Sequence, residues 1–107
     1  MHAEIEAALN NSDQEFPVPI VTLQNAEKLL HYIEDVNLER TGRLELTAAE
    51  SLYLLWTVAD WELNIECLKN GRILFTFRKG WIAKACGSFN IEEFIPYLEE
   101  YLLMDIC

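Results

Sequence analysis

The chain has 107 residues, of which 51% are hydrophobic, and its 18 acidic and 8 basic side chains give a formal net charge of −10. This length suits one domain with its own hydrophobic core, and the apolar content excludes a disordered acidic tail. The acidity argues against a general nucleic-acid binder, because such a protein needs a positive surface.

The charge is unevenly distributed along the chain. Residues 1–68 carry thirteen acids and three bases, and residues 69–91 carry five bases and no acid. Residues 92–107 carry five acids and no base. A basic segment therefore lies between two acidic ones.

The first two predicted elements are helices joined by a linker. Residues 3–9 fit a short helix, and residues 10–20 form a polar, proline-containing linker that must be extended around its prolines. The linker is expected to lay three apolar side chains across the core: Phe16, Val18 and Ile20. The second helix is predicted over residues 23–38, with Thr22 as its N-cap and Gly42 as the breaker after it. Its apolar stripe comprises Ala26, Leu29, Leu30, Ile33 and Val36.

A capping box at residues 47–50 predicts a third helix. Thr47 and Glu50 have the spacing at which each side chain satisfies a backbone N–H at a helix start. The predicted helix runs to about Asp60 and is apolar on nearly every side. Such a helix is buried on several sides or meets a partner.

Alternation of apolar and polar residues then predicts three strands, over residues 61–67, 72–78 and 81–86. A three-residue loop at 69–71 would pair Leu63 with Phe77. A second three-residue loop at 78–80 would pair Phe77 with Trp81, and would set Lys84 level with Glu66 on the other face. One face of this meander is then apolar and the other mixed.

Asn90 and Glu93 predict the start of a final helix, and Pro96 is expected to kink it or to delay its start to about Ile95. The resulting order is α-α-α-β-β-β-α. We therefore predict one α+β domain over residues 1–107, with helices packed on one face of a three-stranded antiparallel meander.

Two surfaces are candidates for binding. The first is the acidic side of the second and last helices, which would dock on a basic partner: Glu27, Glu34, Asp35, Glu92, Glu93, Glu99 and Glu100. The second is the mixed face of the meander: Arg72, Leu74, Arg78, Ile82 and Lys84. The simpler interpretation is that these charges serve solubility and cross-strand pairing.

The titratable residues predict no catalytic residue, metal ligand or cofactor. His31 has Glu27 and Asp35 one turn away on either side, as a metal or proton-transfer site would, but a solvated helix face explains this spacing more simply. Cys67 is expected to be a small buried hydrophobe, with Cys86 on the opposite face of the sheet.

These features predict a small, acidic, non-enzymatic interaction module, an inhibitor or antitoxin-like protein that docks on another protein's basic surface. Two alternatives stay open: a self-associating structural or accessory subunit of a larger complex, able to form a homo-oligomer, and an enzyme or metal protein using His31 and its neighbouring acids. The N-terminus shows no signal-peptide pattern, and the longest apolar run, Leu52–Trp56, is too short for a membrane span. With unpaired cysteines, this predicts a cytoplasmic protein that binds neither membrane nor nucleic acid directly.

Overall fold

The computed structural model describes residues 3–10, 18–36, 41–47 and 49–103. These residues form three helices: α1 (Ala3–Asn10), α2 (Ile20–Asp35) and α3 (Ile91–Tyr101). They also form five strands: β1 (Thr41–Leu46), β2 (Leu52–Val58), β3 (Trp61–Cys67), β4 (Ile73–Lys79) and β5 (Ile82–Phe89). The predicted α+β class is confirmed, but the order is α-α-β-β-β-β-β-α, with two more strands and one helix fewer than expected.

The five strands form one antiparallel sheet in the order β1-β2-β3-β4-β5, so each strand pairs with its neighbour along the chain. One face carries the core, where Trp56, Leu63 and Phe77 are fully buried. The helices complete that core with Ile5, Ala26, Leu29, Leu30, Ile33, Phe94 and Leu98. Side chains on the opposite face are exposed or half-buried, and we call this side of the sheet the open face.

Helix α3 is fixed to the sheet by aromatic rings. The ring of Phe94 lies 5.3 Å from that of Phe75, and the ring of Tyr101 lies 5.1 Å from that of Phe77, between centroids. Tyr101 also meets Trp61 edge to face at 6.0 Å. The C-terminal end of α3 is therefore held beside the start of β3.

Helix α2 begins three residues earlier than predicted, at Ile20, with Pro19 in the N-cap position. Thr22 is not the cap: it is fully buried, and its hydroxyl donates a hydrogen bond to the carbonyl of Leu68 at 3.0 Å. The expectation that Ile20 packs on the core is wrong, because this side chain is 72% exposed. Linker residues 11–17, including Phe16, lie outside the described residues, and so do residues 37–40.

The predicted third helix is wrong, and Gly42 is not a breaker, because Gly42 lies in β1, which pairs with β2 as an antiparallel hairpin. The Thr47 oxygen does accept backbone N–H groups, from Ala49 at 3.2 Å and from Ser51 at 3.4 Å, but these bonds close a loop. Glu50 has a φ of 59°, so it cannot lie in the first turn of a right-handed helix, where φ is negative. A threonine hydroxyl caps turns and helices by the same bond, so the capping pattern did not distinguish them.

The β3–β4 register is confirmed, with Leu63 opposite Phe77, Ile65 opposite Phe75 and Glu62 opposite Arg78. Gly71, at a φ of 87°, takes the left-handed position in the intervening loop.

The β4–β5 register is wrong. Phe77 pairs with Ala85 rather than Trp81, and Phe75 pairs with Gly87 rather than Ala83. Lys79 pairs with Ile82, so the turn has two residues, and a bulge follows between Phe77 and Arg78. Gly80 has a φ of 61°, which fits the first position of a type II′ turn.

The start of α3 is confirmed. The Asn90 side chain accepts a hydrogen bond from the Glu93 N–H at 2.9 Å, and Glu93 returns a bond to the Asn90 N–H at 3.4 Å. Pro96 lies inside the helix and does not delay its start. Proline removes one backbone donor, and the completed capping box holds the first turn in place.

Candidate interaction surfaces

The seven predicted acidic positions lie on the surfaces of α2 and α3, with Glu27 half-buried and the other six exposed. The two helices pack side by side, and the Lys28 ammonium lies 4.0 Å from the Glu92 carboxylate. Burial, and then the charge of Glu99, raises the pKa of Tyr32 to about 12. The carboxylates of both helices therefore contribute to one continuous acidic surface.

The most negative part of this surface is at the helix ends. Glu34 and Asp35 lie in the last turn of α2, Glu99 and Glu100 lie in the last turn of α3, and neither turn contains a base. A helix C-terminus already carries a partial negative charge, so carboxylates there are unfavourable within the chain. We call these four residues the acidic pole.

His31 is exposed on α2, with its Nε2 atom 3.9 Å from a Glu27 carboxylate oxygen. The two side chains share an open groove of about 360 Å³ with Gln24 and Lys28. The described residues include no group of three or more histidine, cysteine or acidic side chains arranged to hold a metal ion. The groove is thus a solvated helix surface.

The predicted mixed face is only partly assembled. Leu74 and Arg78 do lie exposed on the open face, and Arg72 donates hydrogen bonds to Ser88 on β5. Ile82 is opposite Lys79 on the helix-facing side, and Lys84 lies at the bulge, opposite no residue of β4. The position beside Glu66 and Leu74 belongs to Ser88. The placement of Ile82 and Lys84 on the open face is therefore wrong, because the two-residue turn and the bulge shift β5.

The sequence interpretation missed a polar network around Tyr53 at the centre of the open face. The Tyr53 hydroxyl donates to Asn64, whose amide donates to Glu62 at 3.2 Å. Burial raises the pKa of Tyr53, and so do the charges of Glu62, Glu66 and Glu45. The sequence pattern does not reveal this network, because it predicts a helix over Tyr53.

The turn between β4 and β5 presents a second overlooked feature. Trp81 is 99% exposed and the adjacent Ile82 is 60% exposed. Lys79 and Lys84 line a depression of about 230 Å³ with Trp61 and Tyr101, and the Lys79 ammonium lies 5.8 Å from the centre of the Trp61 ring. We call residues 79–84 the basic tip.

The two described cysteines differ sharply. Cys67 is 1% exposed, and burial, then the charge of Glu66, raises the pKa of its thiol to about 12. Cys86 is exposed on the open face. Cys67 is therefore a core residue, as predicted, because a protonated and inaccessible thiol is a poor nucleophile.

Comparison with protein-family models, curated proteins and solved structures finds no match to this chain. In the described segments, every helix is too short or too polar to pass through a lipid bilayer.

Proposed function

We propose that this protein is a non-enzymatic interaction module, an inhibitor or antitoxin-like protein that docks on a basic surface of another protein. One observation carries the proposal: the fold separates the charge. The three helices contain nine acids and one lysine, whereas the described strands and loops contain five acids and six bases. Among the described residues, the net negative charge thus belongs to the helices.

This separation favours recognition by charge. A surface of one sign attracts an oppositely charged partner over roughly the Debye length, about 8 Å at physiological ionic strength, and raises the association rate. Most carboxylates on α2 and α3 are exposed, so they retain their hydration until a partner arrives. The acidic pole is the strongest point, because bound cations would relieve its conflict with the helix ends.

The proposal is non-enzymatic because the candidate groups have structural explanations. His31 is a solvated residue beside Glu27, and Cys67 belongs to the core. The cytoplasmic location predicted from the sequence is part of the same proposal.

Capture of partners by matched variants tests the proposal. In the first variant the acidic pole is neutralised by Glu34→Gln, Asp35→Asn, Glu99→Gln and Glu100→Gln. The control variant carries the same change in charge elsewhere, by Glu4→Gln, Glu6→Gln, Glu50→Gln and Asp60→Asn. We expect basic proteins that bind the unmodified chain and the control to be lost, by about tenfold or more, from the first variant.

For a captured partner, the association rate should fall as salt is raised from about 0.05 to 0.5 M, since the attraction is screened. Equal capture by the two variants, or a set of partners that is mainly acidic, contradicts the proposal.

A further inference from the structure

The basic tip carries an apolar surface that the fold does not require. Trp81 is 99% exposed, whereas Trp56 and Trp61 are buried in the core. Gly80 provides the positive φ on which the turn depends, and a Cβ added there would meet nothing within 4 Å. A polar residue would serve equally well at position 81, and exposed tryptophan is the residue most enriched at binding hot spots.

The charge around Trp81 specifies the sign of its partner. Arg78, Lys79 and Lys84 surround the turn. In the part of the chain that the structure describes, no carboxylate lies within ion-pair distance of Lys79 or Lys84. A partner for this tip must therefore supply acidic groups beside an apolar contact.

The chain itself presents such a surface at the acidic pole. Glu99 and Glu100 are exposed, and their helix end would be stabilised by a neighbouring cation. The acids of α2 approach the same place, because the charge of Glu99 acts on Tyr32.

The tip and the pole lie at the same end of the molecule. Tyr101, which directly follows Glu100, lines the same depression as Lys79 and Lys84. Two adjacent patches of opposite charge suit a two-fold axis, since each patch of one copy can then meet the complementary patch of the other. The pairing closes at two copies and doubles the buried area.

We propose that two copies of this chain form a two-fold dimer in which the basic tip of each docks on the acidic pole of the other. A tryptophan side chain buries about 150–250 Å². Two such contacts with their lysines remain below the roughly 1,600 Å² of a standard stable interface, so the dimer is weak and reversible. Polyanionic nucleic acid fits less well, because its phosphates would meet a chain whose net charge is −10.

Charge-swap complementation, followed by sedimentation of the purified full chain, tests this arrangement. One variant carries Lys79→Glu and Lys84→Glu, and the other carries Glu99→Lys and Glu100→Lys. Each alone should dimerise at least about tenfold more weakly than the unmodified chain, because like charges then face each other. An equal mixture should restore a one-to-one heterodimer, since both contacts again join opposite charges.

Two further variants and the mass of the unmodified chain sharpen the result. Trp81→Ser should reduce dimerisation by about tenfold or more, while its far-ultraviolet circular dichroism spectrum stays that of the folded chain. Glu4→Lys with Glu6→Lys alters the net charge equally on α1 and should still dimerise. The mass of the unmodified chain should reach a plateau at two copies.

Each of the following outcomes of sedimentation overturns the proposal: a monomer at every concentration up to about 1 mM, Trp81→Ser dimerising like the unmodified chain, swapped variants that fail to pair, or growth beyond two copies. Titration with a single-stranded oligonucleotide or with anionic vesicles provides a further arm. A blue shift of Trp81 emission there, with the chain still monomeric, assigns the tip to that ligand and contradicts the dimer. The experiment uses one purified protein, so its failure is distinct from failure to find a basic partner.

Discussion

The two glycine-containing hairpins of the sheet, β3–β4 and β4–β5, each turn at a glycine with positive φ but have opposite surroundings. The first is clamped by α2: Thr22 donates to the Leu68 carbonyl at 3.0 Å, and the Asn25 amide donates to the Gly71 carbonyl at 3.1 Å. The second projects, with Trp81 almost wholly in solvent. One turn is fixed to a helix by two hydrogen bonds, and the other is available for contact.

The difference shows how to separate residues that serve folding from those that serve binding. At the clamped hairpin the Leu68 and Gly71 carbonyls accept from buried side chains of α2, so removing those donors should reduce stability. At the projecting hairpin the backbone is satisfied by its own strands and by the Asp60 carbonyl, which accepts from the Gly80 N–H at 3.3 Å. Changes to its side chains should leave stability intact and reduce association.

The largest expected effect is on thiol reactivity. The two cysteines to compare are Cys67, at the end of β3 beside the clamped loop, and Cys86, on the edge strand β5. Cys67 precedes the clamp, and its pKa of about 12 in place of 9.0 leaves roughly a thousandfold less thiolate at neutral pH. Cys107→Ser leaves Cys67 and Cys86 as the two thiols of the chain. A chromogenic thiol reagent should then modify Cys86 quickly and Cys67 at least about a thousandfold more slowly. Equal rates would show that the clamped end of β3 opens freely.

Removing the clamp should cost the most stability. Thr22→Val with Asn25→Ala leaves the Leu68 and Gly71 carbonyls without their helix partners, and we expect a loss of about 2–4 kcal/mol. Denaturation in urea measures it. The matched control is Asn70→Ala, which removes one exposed side-chain bond to Arg72 and should cost less than about 1 kcal/mol. An unchanged midpoint for the double variant would break the comparison.

Replacing each turn glycine by alanine should also lower stability more at the clamped hairpin than at the projecting one, but the difference should be smaller than that caused by removing the clamp. Both glycines have positive φ, so Gly80→Ala should cost about 1–2 kcal/mol through backbone strain alone. At Gly71 the added Cβ would also lie 3.3 Å from the Val21 side chain, so Gly71→Ala should cost up to about 3 kcal/mol. Thermal unfolding at one concentration checks the order, and a greater loss at Gly80 contradicts it.

The smallest expected effect is that of Trp81→Ser on stability. Because the side chain is 99% exposed, the free energy of unfolding should change by no more than about 0.5 kcal/mol. The measurement belongs at dilute concentration, where the chain is monomeric. A loss above about 1 kcal/mol would place Trp81 in the folded core and remove the argument for a binding role.

Much of the sheet was predictable where local pattern and tertiary structure agree. The β3–β4 register followed from alternating apolar residues and from Gly71, and the α3 start followed from Asn90 and Glu93. The β1–β2 hairpin was not predictable, since Leu52, Leu55 and Trp56 fit helical spacing while Leu52, Leu54 and Trp56 fit a strand. The decisive information was non-local: β2 pairs along its whole length with β3.

The candidate surfaces show the same division. The acidic positions on α2 and α3 depend only on helical periodicity, and all seven lie on those helices. The positions of Trp81, Ile82 and Lys84 depend on the length of the β4–β5 turn and on one bulge, so sequence reasoning misplaced all three. The Tyr53 network needed the β2 assignment before it could be seen.

The most direct test of charge separation is the quenching of Trp81 fluorescence by iodide and by caesium in dilute protein. Subtracting the emission of the Trp81→Phe chain from that of the unmodified chain isolates the signal of Trp81. Normalised to a free tryptophan amide, iodide should quench Trp81 more efficiently than caesium, because the lysines of the basic tip attract the anion despite a net charge of −10. More efficient quenching by caesium, or no difference between the two chains, would contradict the account.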